Sequence, residues 1–82
     1  MMAGRIHGLR RSELEQVTGI GKRYARILEA AGVASVQELA EQDPLELADA
    51  LLEVNLLQGM VLVVPSETRV AGWIEQARAR NL

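Results

Sequence analysis

At 82 residues, 49% hydrophobic but with no Phe, one Trp and one Tyr, the chain has room for one small domain with a core of Leu, Val, Ile and Ala. The lack of Cys excludes disulfides and thiolate zinc sites. The longest apolar tract, Met60 to Val64, is far too short to span a bilayer. The net charge of −2 conceals a strong polarity: residues 1–27 hold six Lys and Arg against two Glu, whereas residues 28–58 hold seven carboxylates and neither Lys nor Arg.

Met1 to Arg11 is basic but lacks the apolar segment of a signal peptide, so the expected location is the cytoplasm. Residues 1–11 read as a flexible leader carrying Arg5, His7, Arg10 and Arg11, and residues 12–80 as a single domain. Ser12-Glu13-Leu14-Glu15 is a capping box that should open a short first helix, with Glu15 reaching back to the cap. That helix stops at Thr18-Gly19. Beyond it, Tyr24, Ile27, Leu28 and Ala31 form one apolar helical face, which Gly32 should end as a left-handed cap.

Ser35-Val36-Gln37-Glu38 is a second capping box, opening a short helix with Val36, Leu39 and Ala40 inward. Asp43-Pro44, with Glu46 near the positive helix end, starts a fourth helix built on Leu47, Leu51 and Val54 and expected to run to about Asn55. The stretch Leu56 to Pro65 reads as a short extended piece or a buried connector, because Gly59 and Pro65 bracket a β-branched run. Ser66 caps a last helix with Val70, Trp73, Ile74 and Ala77 on one face. The expectation is an all-α domain of five helices.

The most informative motif is Thr18-Gly19-Ile20-Gly21-Lys22-Arg23, a tight turn opening a cationic helix. The first amides of that helix, those of Gly21, Lys22 and Arg23, lack intrahelical partners and point outward at the positive end of the helix dipole. Lys22 and Arg23 stand where the dipole disfavours cations, and Lys22 and Arg26 form a like-charge i, i+4 pair. A bound phosphate would relieve both. A bland alternative is that these cations are ordinary surface charges, or pair with the acidic middle of the same or another chain.

Val17-Thr18-Gly19-Ile20-Gly21, followed by Ala25 and Leu28, resembles the helix-hairpin-helix element. The resemblance implies that the two glycines permit the turn, that Ile20 anchors it from inside, and that Ala25 lets two helices approach; Lys22 stands where many members have proline. A wider pattern, including Ala31-Gly32-Val33, Leu52-Glu53-Val54-Asn55, Pro65-Ser66 and Trp73-Ile74-Glu75-Gln76-Ala77, is similar to an uncharacterised bacterial helix-hairpin-helix family, a domain of unknown function, over roughly residues 14–78. The resemblance implies a compact SAM-like helical fold. Its longer members look like two helical segments in tandem where this chain has one, which points to a homodimer. The chain departs from the family in its apolar connector, Leu56, Leu57, Met60, Val61, Leu62 and Val63, expected to pack on the body or on a partner.

Two functions follow as expectations. In the first, Gly19, Ile20, Gly21, Lys22, Arg23 and Arg26 contact DNA or RNA phosphates without reading sequence. In the second, the charge polarity and the apolar connector serve protein–protein association or a homodimer. Neither is enzymatic: Ser12, Ser35 and Ser66 occupy cap positions, His7 has no partner Cys or nearby carboxylate, and no nucleophile constellation, metal site or cofactor is implied. Glu46, Asp49 and Glu53 read as a solvated helix face, and Trp73 and Tyr24 as core anchors before stacking platforms.

Overall fold

Residues 12–80 are described by the computed structural model, and the leader 1–11 lies outside them. Within them a single 3-10 turn, Glu13–Gln16, precedes four α-helices: α1 (Lys22–Ala30), α2 (Val36–Ala40), α3 (Pro44–Gln58) and α4 (Glu67–Arg80). No strand occurs among the described residues. The domain is thus all-helical, as expected, but the first expected helix is a 3-10 turn. The segment is too short to propagate an α-helix: Ser12 Oγ accepts from the Leu14 amide, and Val17 N–H already closes back on Leu14 O at 3.0 Å.

The expected reach of Glu15 back to Ser12 is replaced by a long-range contact. Glu13 Oε1 accepts from the Val36 amide at 2.7 Å, so a carboxylate from the first turn satisfies the N-terminus of α2. There Ser35 Oγ accepts from Glu38 N–H at 3.0 Å, and Glu38 Oε1 accepts from Ala34 N–H at 2.8 Å. These bonds make a five-residue helix tenable where propensity alone would not.

α1 ends as expected. Gly32 has φ +95°, Gly32 N–H bonds Glu29 O and Val33 N–H bonds Leu28 O, the paired closure of a Schellman cap, with Val33 buried beneath it. α3 starts on Asp43, whose Oδ2 accepts from Glu46 N–H at 3.0 Å, with Pro44 in the first turn. It runs to Gln58, three residues beyond the expected end at Asn55. Nothing in Leu56-Leu57-Gln58 opposes a helix, and Gly59 (φ +59°) is the first residue that can take the left-handed cap.

Ser66 Oγ accepts from Arg69 N–H at 3.2 Å and opens α4, which packs across α2 and α3 while α1 packs on α3 and the 3-10 turn. One core joins them through Leu14, Ile27, Leu28, Leu39, Leu51, Val70, Trp73 and Ile74. Each such large side chain contributes about 1.5–3 kcal/mol by leaving water. The core therefore holds the turn 17–21 against α4 and fixes where α1 begins.

Candidate functional site

Two surfaces carry the residues singled out by the sequence. The first is the turn before α1. Gly19 has φ +97°, and a Cβ there would meet Trp73 Nε1 at 2.9 Å, so both backbone and space require glycine. Gly21 differs: its φ is −95°, which any residue adopts, and a Cβ there would meet nothing within 4 Å. The expectation that both glycines are needed for the turn thus holds only for Gly19.

Ile20 is buried beneath the turn, as is Ala25 in the first coil of α1. Gln76 of α4 clamps the turn from outside the core: its Oε1 accepts from Thr18 N–H at 3.0 Å and its Nε2 donates to Thr18 O at 3.1 Å. Arg80 donates to Gln16 O at 2.6 Å in the same seam. The turn is therefore a rigid platform.

On that platform α1 begins without a side-chain cap, and its backbone ladder starts only with Ala25 N–H to Gly21 O. The amides of Lys22 and Arg23 lie ahead of that first bond. Lys22, Arg23 and Arg26 are exposed. The carboxylates that take backbone amides are engaged elsewhere, Glu13 on Val36, Glu38 on Ala34 and Asp43 on Glu46. Trp73 is core: it is buried, its ring centre lies 5.5 Å from that of Tyr24, and the Arg69 guanidinium sits 5.2 Å from the Tyr24 ring and 5.9 Å from the Trp73 ring.

The second surface is the end of α3 and the connector. Of the residues expected to be covered, Val61 is buried and Met60 half-buried, but Leu56 is 77% exposed, Leu57 80%, Leu62 95% and Val63 68%. Of the two expected covers, the body takes Val61 and part of Met60, and these four side chains do not pack on it. The connector is nevertheless held in shape. Asn55 Oδ1 accepts from Val61 N–H at 2.8 Å, Asn55 Nδ2 donates to Val61 O at 3.0 Å, and Tyr24 Oη donates to Val63 O at 3.0 Å. The backbone is pinned at Val61 and Val63: the clamped Val61 takes the inward place, and Leu62, between the two clamps, and Val63 stay outward.

Leu45 and Leu52, also exposed, extend this apolar display along α3. The sequence does not mark their exposure, nor the roles of Asn55, Gln76 and Glu13 as long-range hydrogen-bond partners. α3 is leucine-rich on both faces, so periodicity does not tell which leucines face out. Among the described residues no cluster of three or more His, Asp or Glu could hold a metal, and no helix is long and apolar enough to cross a membrane.

With a one-core, all-helical domain and these two surfaces defined, comparison with known proteins places the chain. It belongs to the DUF4332 family, a domain of unknown function, which matches residues 6–80. It is 40% identical over 67 residues, 82% of the chain, to the poly(3-hydroxyalkanoate) polymerase subunit PhaC of Haloferax mediterranei. To the protein of the same name from Haloarcula marismortui it is 34% identical over 65 residues, 79% of the chain. In both cases the matched stretch spans only 11% of the relative's length. No solved structure matches.

Proposed function

We propose that this domain is a non-enzymatic association module that joins another protein through the apolar surface of α3 and the connector. One observation carries the reading: the connector is pinned by Asn55 and Tyr24, yet presents Leu62 at 95% and Val63 at 68% exposure beside Leu56 and Leu57. Large apolar side chains held out on ordered backbone are costly to leave in water, and a contact that covers them recovers about 25 cal/mol per Å². Support also comes from the relatives, in which a similar segment forms a small part of a much longer polymerase subunit. The partner class includes a second copy, as the homodimer expectation had it. Quantitative co-purification of the full chain and of a Leu56→Ser/Leu57→Ser/Leu62→Ser variant, with sedimentation equilibrium on both, tests the reading. A stoichiometric partner or dimer present with the native chain and lost with the variant is the expected result; identical recovery and mass for the two would refute it.

The turn before α1 favours a second reading, a helix-hairpin-helix contact with nucleic-acid phosphates. Gly21 leaves the first amides of α1 uncrowded, and Lys22, Arg23 and Arg26 surround them with positive charge. Two or three phosphate contacts yield weak, steeply salt-dependent binding, roughly 10⁻⁴ to 10⁻⁶ M. Anisotropy with a short duplex at two salt concentrations checks it. Binding that is indifferent to salt and to Lys22→Glu/Arg23→Glu would exclude this reading.

A further inference from the structure

We propose that the outer face of α3 docks a cationic amphipathic helix of another protein, an inference that rests on the association reading and names the partner's chemistry. Leu45, Leu52 and Leu56 stand seven and four residues apart and so share one stripe along α3. All three are exposed, at 53%, 48% and 77%. Glu46 and Glu53 form an acidic ridge beside the stripe, and Asp49 falls between Leu45 and Leu52 at its edge. Glu46, Asp49 and Glu53, with Ala50, Leu52 and Leu56, line one shallow open depression. A ligand for this face must bring apolar side chains for the stripe and cations for the ridge.

Neither α1 nor α3 of a second copy brings both to one contact. Its own α3 has the leucines but no Lys or Arg, so an α3–α3 pair doubles the carboxylates at the seam with nothing to offset them. Its α1 has Lys22, Arg23 and Arg26, but the exposed residues of that helix include no large apolar side chain. The required pairing, leucines at helical spacing flanked by Lys or Arg, occurs on no helix among the described residues and defines an amphipathic basic helix of a partner. Opposed charge also sets its specificity: an acidic helix with the same apolar face meets ridge against ridge.

The test uses the full chain, isotopically labelled, titrated with two synthetic amphipathic helices that share Leu positions but carry Lys or Glu on the flanks. The lysine helix is expected to shift the amide resonances of Leu45 to Leu56 and to bind at least about tenfold more tightly than the glutamate helix, a gap that narrows in high salt. Leu52→Glu/Leu56→Glu, at exposed positions, should abolish these shifts. Glu46→Gln/Asp49→Asn/Glu53→Gln keeps the leucines and should bring the two helices to within about twofold of each other, a readout that does not depend on lost folding. Equal binding of both helices by the native chain, or shifts confined to the turn before α1, overturns the proposal. So does an α3-mediated dimer that excludes the lysine helix, although that result leaves the association reading standing. A chain that stays monomeric, ignores both helices and co-purifies with nothing refutes both.

Discussion

Two backbone segments of this protein are held by the same device, a side-chain carboxamide that donates to and accepts from one residue. Gln76 grips Thr18 in the turn before α1, and Asn55 grips Val61 in the connector. What differs is the apolar cover. Around Thr18, the neighbours Val17 and Ile20 go inside and Trp73 presses against Gly19; around Val61, the neighbours Leu62 and Val63 stay outside. The same two hydrogen bonds thus close a region in one place and hold one open in the other. Order and burial are separate properties, and an exposed leucine on pinned backbone differs from one on a loose loop.

The contrast can be broken most forcefully at Gly19. Gly19→Ala imposes a left-handed conformation on an L-residue and drives a methyl toward the Trp73 ring, so it should cost about 2–4 kcal/mol in urea unfolding. A loss below about 1 kcal/mol would mean that the turn yields and is not the closed partner of the pair.

The two clamps come next. Asn55→Ala leaves the buried Val61 without its partners and should cost about 1.5–3 kcal/mol, whereas Gln76→Ala, at an exposed clamp that water can replace, should cost about 0.5–1.5 kcal/mol. Thermal melts of the two variants side by side check the order, and the reverse order would place the weaker hold at the connector.

Gly21→Ser sharpens the comparison in the opposite direction. A serine at this uncapped position offers an oxygen to the first amides of α1 and should stabilise the fold by about 0.2–0.5 kcal/mol. The same variant should weaken phosphate binding, since its hydroxyl competes for those donors; a stabilised variant with unchanged duplex affinity would show that the amides do not take the phosphate. Smallest is Leu62→Ser, which should alter unfolding free energy by less than about 0.5 kcal/mol because the side chain is already in water. Its effect should instead appear as loss of partner recovery.

Local signals were legible in the sequence and distant ones were not. Ser35 with Glu38, Asp43 with Pro44, Ser66 and the Gly32 cap each act within a few residues of themselves, and the structure realises all four. Glu13 on Val36, Gln76 on Thr18 and Asn55 on Val61 join residues whose approach depends on the packed fold; no spacing rule announces them. At the candidate surfaces, the turn and its exposed cations followed from the motif. The outward leucines did not, because an apolar residue in a sequence carries no mark of which side it faces until its helix has a neighbour. α3 passes its expected end near Asn55 because Gly59 is the first residue with the backbone freedom to take the left-handed cap.

The single tryptophan lies buried against Gly19, 5.5 Å from the single tyrosine. Intrinsic emission is consequently a spectroscopic gauge of that junction, shifting to the red when the turn parts from α4. Release of the connector from Asn55 can leave this dye-free signal almost untouched. Fluorescence and a probe placed on the connector should then report separate melting midpoints whenever the two regions loosen independently.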